Sequence, residues 1–363
     1  MTDYTKFLPE YPLQNDLWCE LKEEKRPILV YGMGNGADKL FERLNRIGVA
    51  VADIFASDGF VRGHYYRGMR VKSFSEVREE YPEFVILLSF ASNRQEVLDM
   101  LAEIDRSYDM YIPDMPVAGE EYFDKDFYND NYTEIKAALE ALSDDASKQL
   151  FASIIKFKLF GKMRMLEESY DTKDCLYSSL PSEDIRVMID AGAYNGDTVR
   201  EAQSYFPNLE TVYAIEPDPK TFKRLCKYAE GQDVLDVRTI NAAVLDKCGE
   251  GDFISGGNRN SSVNSTASYK HKSSVVPFVT VDSLSVKADY VKYDVEGAEL
   301  EALVGSEQTI ISQRPALLVS LYHRSRDIFF LTNYLKRKYP FYRLTLKRLR
   351  CVPAWEIDLI LTT

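Results

Sequence analysis

The chain has 363 residues, with 45 basic and 57 acidic side chains and a formal net charge of −12. At roughly 150 residues per domain, this length predicts two or three domains. Hydrophobic residues make up 45% and charged residues 28%, which is typical of a globular protein and excludes a disordered one. The net acidity argues against a nucleic-acid-binding protein, because phosphate contacts need a basic surface. We therefore expect no nucleic-acid partner.

The cysteines, histidines and apolar runs argue against a disulfide-bonded, metal-binding or membrane-spanning protein. The five cysteines are scattered without a CxxC pair, so neither a disulfide framework nor a zinc site is expected. Three histidines are too few for a histidine-rich metal site, and no metal is predicted. No apolar run approaches the ~20 residues of a membrane span, and the first residues lack the pattern of a signal peptide. We expect a cytoplasmic protein without a membrane span.

The first region, residues 1–118, has the pattern of a βαβ unit. An apolar run at 28–31 is followed by a glycine-rich turn at 32–37 and by apolar residues at helical spacing. Further apolar runs lie at 49–55 and 84–90. This alternation predicts a parallel sheet with helices, a smaller Rossmann-like α/β domain.

The glycine-rich turn fits the loose dinucleotide fingerprint, although the acid after the second strand comes later than the usual ~20 residues. The segment 58–71 resembles the Rossmann-like N-terminal domain found before bacterial sugar acetyltransferases. This resemblance implies that a nucleotide-sugar is held by Gly32, Gly34, Asp58 and His64. The alternative is a degenerate Rossmann unit used for docking or dimerisation, and a homodimer is one expectation.

Residues 119–180 show few strand signals and are predicted to form a helical connector. The segments 131–142 and 146–160 have helical patterns. Polar residues at 143–145 can cap the second helix. The connector is expected to pack against the region that follows it.

Residues 181–363 again alternate apolar runs with helical stretches. Candidate strands lie at 187–189, 211–215, 237–241, 290–293 and 316–321. Two more runs, 341–346 and 356–361, flank a basic turn that contains proline. They predict an antiparallel hairpin that closes the sheet.

The strongest chemical signal is the segment Val187–Thr198. An apolar strand ends at Asp190, and a turn containing Gly192 and Gly196 leads into a helix. Glycine permits a close approach of backbone and ligand that a Cβ would block. Asp190 and Asp197 place negative charge at this turn, which suits a ligand with a cationic head better than a pyrophosphate. The sulfonium and ammonium groups of S-adenosylmethionine fit this description.

Residues at the ends of later strands support the same ligand. Glu216 follows the second strand, 26 positions after Asp190, where a carboxylate can accept hydrogen bonds from ribose hydroxyls. Asn241 and Ala242 follow the third strand and are small enough to flank an adenine ring. The fourth strand leads into the acidic run 294–299, at the edge of the sheet where the transferable group would lie.

Together these segments resemble the FkbM-type S-adenosylmethionine-dependent methyltransferases. The matching segments are Asp190–Asp197, Ile215–Asp218, Ser261–Ser262, Thr280–Leu284, Lys292–Glu299 and the strand that leads to His323. The run Asp-Val-Glu-Gly-Ala-Glu at 294–299 is the most specific of them. The resemblance implies a class I, Rossmann-like, seven-stranded methyltransferase domain at 181–363. It also implies O-methylation of a hydroxyl on a sugar, glycan or natural-product acceptor.

The resemblance further implies a role for each matching residue. S-adenosylmethionine would be held by Asp190, Gly192, Ala193, Tyr194, Gly196, Asp197, Thr198, Glu216, Asn241, Ala242 and Asp294. Asp294, Glu296 and His323 would face the acceptor. An alcohol is a weak nucleophile, so one of these three would take its proton. The sequence departs from the family pattern at 320–322, which lacks the acid that the family often places before the histidine.

Charge is unevenly distributed, and residues 321–350 contain nine basic side chains and one acidic side chain. Arg324 and Arg326 follow His323 beyond a strand end, where they could meet an anionic acceptor such as a nucleotide-sugar or a phosphorylated glycan. The plainer interpretation is a set of solvated helix faces.

Two other functions stay open. One is a nicotinamide-dependent oxidoreductase that uses the N-terminal glycines, although no Tyr-x-x-x-Lys dyad follows them. The other is a non-catalytic nucleotide-sugar binding protein with a decayed methyltransferase domain. The intact acids Asp190, Glu216 and Asp294 argue against decay.

Overall fold

The computed structural model describes residues 4–167, 170–255, 262–263 and 272–363. Ser261, one half of the serine pair that contributes to the family resemblance, lies outside these residues. The described parts form two α/β units joined by a helical segment. Of the described helices, none is both long enough and apolar enough to cross a membrane.

The N-terminal unit is a parallel sheet with apolar clusters on both faces. After a 3-10 turn at Tyr4–Phe7, its elements are α1 Leu17–Glu23, β1 Ile28–Tyr31, α2 Asn35–Arg46, β2 Asp53–Ala56, β3 Tyr65–Tyr66, β4 Met69–Arg70, β5 Lys72–Ser73, α3 Phe74–Glu80, β6 Val85–Leu88, α4 Gln95–Ser107 and β7 Asp109–Tyr111. Over the described residues, the strands lie in the order β5-β2-β1-β6-β7. The parallel sheet predicted for this region is therefore observed.

Strand alternation explains how β1 serves both faces. Val30 packs with Leu40 of α2 in one apolar cluster, whereas Tyr31 belongs to the cluster that contains Leu98 of α4. All four residues of β1 are buried, as expected for a central parallel strand covered on two sides.

The helical segment contains α5 Lys125–Asp130, α6 Tyr132–Ala141, α7 Asp145–Phe160, α8 Arg164–Glu167 and α9 Lys173–Tyr177. The Asp144 carboxylate accepts a hydrogen bond from the backbone N–H of Ser147 at 2.8 Å, which confirms the predicted cap of α7. Gly161 ends α7 in the left-handed conformation, with φ of +62°, a conformation that glycine adopts without strain. Ser147 also binds the backbone of Leu346, so α7 is fastened to the C-terminal unit.

The C-terminal unit contains β8 Val187–Ala191, α10 Asp197–Tyr205, β9 Thr211–Ile215, α11 Pro219–Glu230, β10 Asp236–Ile240, β11 Ala243–Val244, β12 Gly249–Ser255, β13 Ser262–Val263, β14 Lys272–Val279, β15 Tyr290–Tyr293, α12 Glu299–Val304, α13 Glu307–Gln313, β16 Ala316–Ser320, α14 Asp327–Lys338, β17 Arg343–Arg348 and β18 Ile357–Thr362. Its main sheet has the order β10-β9-β8-β15-β16-β18-β17, seven strands among the described residues. The first five are parallel, and β18 runs antiparallel to both of its neighbours.

Most strands of this sheet lie where the apolar runs predict them. The predicted strands at 211–215 and 290–293 coincide with β9 and β15, and β17 pairs with β18 as the predicted hairpin. A second sheet, with strands in the order β11-β14-β12-β13, is a feature that the sequence analysis did not predict. Its strands contain many serines and charged residues, so they lack the apolar alternation that marks a strand.

Backbone contacts join the two α/β units close to the end of the main sheet. Ser92, after β6, and Val352, between β17 and β18, exchange two backbone hydrogen bonds of 2.8 and 2.9 Å. The backbone N–H of Ala118 donates to the carbonyl of His323 at 2.8 Å. The segment that leaves the N-terminal unit is thus held against the carboxyl edge of the main sheet.

Candidate active site

A cavity of about 540 Å³ lies at the carboxyl ends of the central strands of the main sheet. The residues that follow β8, β9, β15 and β16 contribute to its wall, together with α9 and the segment between β17 and β18. The N-terminal unit adds Asn93. In open α/β sheets ligands bind at this edge, and the cavity is large enough for a small molecule.

The turn after β8 brings backbone close to the neighbouring strand. Gly192 has φ of +90°, and a Cβ built there would overlap the carbonyl oxygen of Asp294. Gly196, with φ of +86°, caps α10 and lies against the ring of Tyr228. Both positions favour glycine for conformation and for space, so the turn shapes the cavity through its backbone.

Glu216 lies directly after β9 and is bonded to the backbone on both sides. Its Oε2 accepts a hydrogen bond from Tyr194 N at 3.0 Å, and Oε1 accepts one from Asp218 N at 2.8 Å. Burial raises the pKa of Glu216 to about 7, against the lowering effect of these two bonds. Each carboxylate oxygen keeps acceptor capacity, so Glu216 can still bind hydroxyl groups in the cavity.

Asp190 and Lys292 form a buried charged pair below the glycine turn. Asp190 is fully buried, and its oxygens make no hydrogen bond to the described residues, although Oδ1 lies 3.6 Å from Lys292 Nζ. Burial raises the pKa of Asp190 to about 6, while Lys292 opposes that shift. The pKa of Lys292 is raised in turn: burial lowers it, but Asp294 and Asp190 outweigh burial. Lys292 is therefore a cation in the cavity wall.

Asp294 and Glu296 follow β15 and line the cavity. Asp294 Oδ2 lies 3.2 Å from Lys292 Nζ, and Oδ1 accepts a hydrogen bond from the hydroxyl of Tyr322 at 3.2 Å. Burial raises the pKa of Asp294, but the positive charges of Lys292 and His323 outweigh burial. The pKa of Asp294 therefore lies below its ordinary value. Glu296 has φ of +54°, so its backbone adopts the left-handed conformation in the turn that follows β15.

His323 lies behind these acids and is fully buried. Its Nδ1 is 2.9 Å from Glu299 Oε1, and its Nε2 is 3.4 Å from Asp294 Oδ1 and 3.6 Å from Glu296 Oε2. Burial favours the neutral ring, but the three carboxylates, Glu299 foremost, raise the pKa of His323 to about 10. The three carboxylates therefore favour the protonated form of the ring.

Further acids line the cavity near β16 and β18. Glu356 and Asp358 contribute to the wall, as does Tyr322. Asp358 Oδ1 accepts a hydrogen bond from the hydroxyl of Ser320 at 3.1 Å. Burial, with Glu356 and Asp294, raises the pKa of Asp358 to about 8. Asp358 is thus mostly protonated at neutral pH and can donate a hydrogen bond.

Comparison with protein families gives a match over this sheet. Residues 190–343 match the model of the methyltransferase FkbM domain. The chain carries an FkbM methyltransferase domain. The chain is accordingly an S-adenosylmethionine-dependent methyltransferase with an FkbM domain at 190–343, as the resemblance implied.

Two solved structures are similar to this chain to different degrees. The crystal structure of methyltransferase FkbM from Methylobacillus flagellatus KT is similar with a TM-score of 0.67 and 20% sequence identity, over 93% of this chain and 90% of that one. An rRNA methylase from Streptococcus thermophilus is similar with a TM-score of 0.31 and 12% identity, over 52% of this chain and 92% of that one. The first likeness supports the class I, Rossmann-like methyltransferase fold. The comparison with curated proteins gave no match.

The cavity of the FkbM domain gathers most residues that were predicted to bind the cofactor. Seven of the eleven line it: Gly192, Tyr194, Asp197, Thr198, Glu216, Ala242 and Asp294. Of the predicted catalytic residues, Asp294 and Glu296 line the same cavity, whereas His323 contacts both from behind.

Four predicted cofactor residues lie next to the cavity rather than in its wall. Asp190 and Ala193 are buried beneath the turn, and Gly196 caps α10. The side chain of Asn241 donates to the carbonyls of Glu216 and Pro217 at 2.8 and 3.1 Å. These contacts shape the turns that carry the lining residues.

Several lining residues were given no role by the sequence analysis. Lys292 and Asp358 are charged residues within otherwise apolar strands, and this interruption was an available signal. Tyr177, from α9, and Asn93, from the N-terminal unit, carry no local signal. They reach the cavity through the packing of distant segments.

The predicted nucleotide-sugar residues of the N-terminal unit are engaged with their own neighbours. The Asp58 carboxylate accepts hydrogen bonds from the backbone N–H and hydroxyl of Ser75 at 3.0 and 2.6 Å. His64 Nε2 lies 3.0 Å from Met33 Sδ. Gly32 and Gly34 have φ of +107° and +109°. Ligand binding here stays a prediction.

The basic pair after His323 is also engaged outside the cavity wall. Arg324 Nε donates to the carbonyl of Gly297 at 2.8 Å, and Arg326 Nε lies 3.3 Å from Glu121 Oε2. Neither arginine is part of the cavity lining. Both side chains therefore act within the described structure as links between segments.

Proposed function

We propose that the cavity binds S-adenosylmethionine and that the enzyme methylates a hydroxyl of a sugar, glycan or natural-product acceptor. Glu216 would bind the ribose hydroxyls, and Ala242 would meet the adenine ring. The methionine part would lie along Gly192, Tyr194 and Thr198. When bound, S-adenosylmethionine supplies an electrophilic methyl group on its sulfonium.

The observation that carries the proposal is the continuity of one cavity from Glu216 to Asp294 and Glu296. A residue suited to ribose and two acids suited to an acceptor share a single wall. Such an arrangement would position donor and acceptor together, which is the main source of catalysis in a displacement of this kind. The acceptor capacity left on Glu216 fits the ribose hydroxyls.

We propose Glu296 as the group that takes the proton of the acceptor hydroxyl. Asp294 is held by the ammonium of Lys292 and by the hydroxyl of Tyr322, and its low pKa makes it a weak base. His323 is a poor base because its pKa of about 10 keeps the ring protonated. Glu296 lies in the cavity wall with 28% of its side chain exposed, so the acceptor can reach it.

The charges near β18 favour an acceptor rich in neutral hydroxyls. The carboxylates of Glu296 and Glu356 line this part of the cavity, where Arg350 is a basic neighbour. Carboxylates accept hydrogen bonds from hydroxyls, whereas an anionic group close to them would be repelled. We therefore propose a neutral sugar-like group at the methylated position.

The N-terminal unit would take part in acceptor binding. Asn93 lines the cavity, and the adjacent Ser92 is paired with Val352. We propose the division into an accessory domain at 1–118, a connector at 119–180 and a methyltransferase domain at 181–363. In that division the accessory domain would bind the remainder of the acceptor, a nucleotide-sugar being one form of it.

A labelling screen tests the proposed reaction. The full chain is incubated with S-adenosylmethionine that carries a deuterated methyl group and with pools of neutral glycans, nucleotide-sugars and small polyols. Mass spectrometry should detect a labelled methyl ether in the neutral or nucleotide-linked sugar pool. Label on an amine or carboxylate instead would contradict O-methylation.

A further inference from the structure

Glu299, the first residue of α12, connects the acidic turn to the buried histidine. Its side chain is 1% exposed. Oε1 accepts hydrogen bonds from Val295 N at 3.0 Å and Gly297 N at 3.2 Å. The same oxygen lies 2.9 Å from His323 Nδ1. One buried carboxylate thus touches both the turn that carries Glu296 and the ring behind it.

We propose that Glu299 is a positioning residue that holds His323 as a cation, so that the ring fixes Asp294 and Glu296 at the methyl acceptor. The role in catalysis rests on the function proposed above. Glu299 does not line the cavity, so it acts through His323 rather than on a substrate.

The charges around the ring support this assignment from each packed element. Glu299 faces the ring from α12, and Asp294 and Glu296 face it from the turn after β15. Asp327, at the start of α14, adds a further carboxyl close enough to interact with the ring. A buried charge requires a partner, and a protonated ring satisfies the acids on both of its sides. A neutral ring would leave Asp294 and Glu296 facing each other across an uncharged group.

The contact distances on the two sides of the His323 ring differ. The Nδ1 contact with Glu299 is 2.9 Å, whereas the Nε2 contacts with Asp294 and Glu296 are 3.4 and 3.6 Å. Glu299 is therefore the nearest charged partner of the ring, and the ring in turn lies within ion-pairing distance of both acids after β15. Ala118 holds the backbone carbonyl of His323 from outside, which fixes the position of the residue.

The competing interpretation is that Glu299 serves only the turn, through Val295 and Gly297. Glu299→Gln separates the two roles. The amide oxygen can still accept both backbone hydrogen bonds, but the negative charge beside His323 is removed. A structural role would survive this change, whereas control over the charge of the ring would not.

Histidine NMR on the full chain provides the test. The chain has three histidines, so ring-nitrogen spectra of histidine-labelled protein hold three signal sets, and substitution of each of the other two in turn identifies His323. Spectra are recorded from pH 6 to pH 9.5 for the native chain, for Glu299→Gln and for the matched control Glu301→Gln on the same helix. Thermal unfolding of each variant reports whether it is folded.

The native chain should show a doubly protonated His323 ring up to at least pH 8. Glu299→Gln should lower the pKa of the ring by about 1–3 units, the effect of removing one close opposite charge, while Glu301→Gln leaves it unchanged. A neutral ring in the native chain at pH 7 would overturn the proposal, as would equal titration in native chain and Glu299→Gln. Because the titration needs no methyl transfer, its failure is distinguishable from failure of the proposed reaction.

Discussion

The backbone N–H of Tyr194 donates a hydrogen bond to Oε2 of Glu216 at 3.0 Å. This bond ties the glycine turn after one strand to the acid that follows the next strand. Both residues line the cavity, so the parts proposed to bind the methionine and the ribose of the cofactor are held in one arrangement. Cofactor binding should therefore respond to changes at Glu216 in a specific way.

Glu216→Ala should weaken S-adenosylmethionine binding by about 1–3 kcal/mol, because the ribose hydroxyls would lose their charged acceptor. Isothermal titration calorimetry measures the affinity. Glu210→Ala, just before β9, is the matched control because Glu210 is exposed and pairs with Arg186. Equal affinity in Glu216→Ala and the native chain would mean that Glu216 is not the ribose acid.

Cofactor affinity should rise with pH across neutrality. Burial raises the pKa of Glu216 from 4.5 to about 7, so the free enzyme carries a proton on this side chain at pH 6. Ribose hydroxyls donate to the ionised form, and binding would therefore release a proton. Calorimetry at pH 6 and pH 8, in buffers of different ionisation enthalpy, should show tighter binding at pH 8 and proton release at pH 6. Affinity that falls as pH rises would contradict this assignment.

The free energy of unfolding should change with pH in the opposite direction to cofactor affinity. The folded chain holds the Glu216 proton more tightly than the unfolded chain, so ionisation of this side chain costs stability as pH rises from 4.5 towards 7. In Glu216→Gln that contribution to the pH dependence should disappear. Urea unfolding at several pH values measures the free energy of unfolding. An unchanged pH dependence in Glu216→Gln would show that Glu216 keeps an ordinary pKa.

The acids after β15 should affect turnover more than cofactor binding. Glu296→Gln is expected to lower kcat by about 100- to 10,000-fold, the range for loss of a general base. Asp294→Asn should lower it less if Asp294 acts through its contacts with Lys292 and Tyr322. Single-turnover rates with an acceptor from the labelling screen give the comparison, and Glu301→Gln serves as the control. A larger loss in Asp294→Asn than in Glu296→Gln would reverse the roles.

Gly192→Ala should destabilise the chain and abolish cofactor binding. A positive φ costs a residue with a Cβ about 1–3 kcal/mol, and here the Cβ would also overlap the carbonyl of Asp294. Gly249→Ala is the control, since a Cβ at that position meets nothing within 4 Å. The melting temperature should fall for Gly192→Ala and stay unchanged for Gly249→Ala. A native melting temperature in Gly192→Ala would show that the turn tolerates a side chain.

Much of the fold was predictable because its strands are buried on both faces. The segments that form β9 and β15 are apolar runs bounded by turn residues. This pattern was enough to predict both strands from the sequence. The second sheet was missed because β12 and the first half of β14 carry glycines, serines and charged residues instead of an apolar run. The strand predicted at 49–55 is shorter in the structure, where β2 is Asp53–Ala56.

The site was predictable to the extent that its chemistry is local. Gly192, Glu216 and Asp294 each follow a strand, and parallel strands bring their carboxyl ends together. The roles of Asn241 and His323 could not be predicted, because they depend on which backbone or carboxylate each side chain meets after folding. Asn93 lies 97 positions before Asp190, and only the packing of the two units brings it to the cavity.

Calorimetric titration of the full chain with S-adenosylmethionine is the decisive measurement of whether this cavity binds that cofactor. We expect one saturable binding event, weakened in Glu216→Ala and retained in Glu210→Ala. Parallel titrations with a nicotinamide cofactor and with a nucleotide-sugar separate the alternative functions. A folded native chain that gives no heat with S-adenosylmethionine, yet binds one of the other two, would contradict the assignment of this cavity.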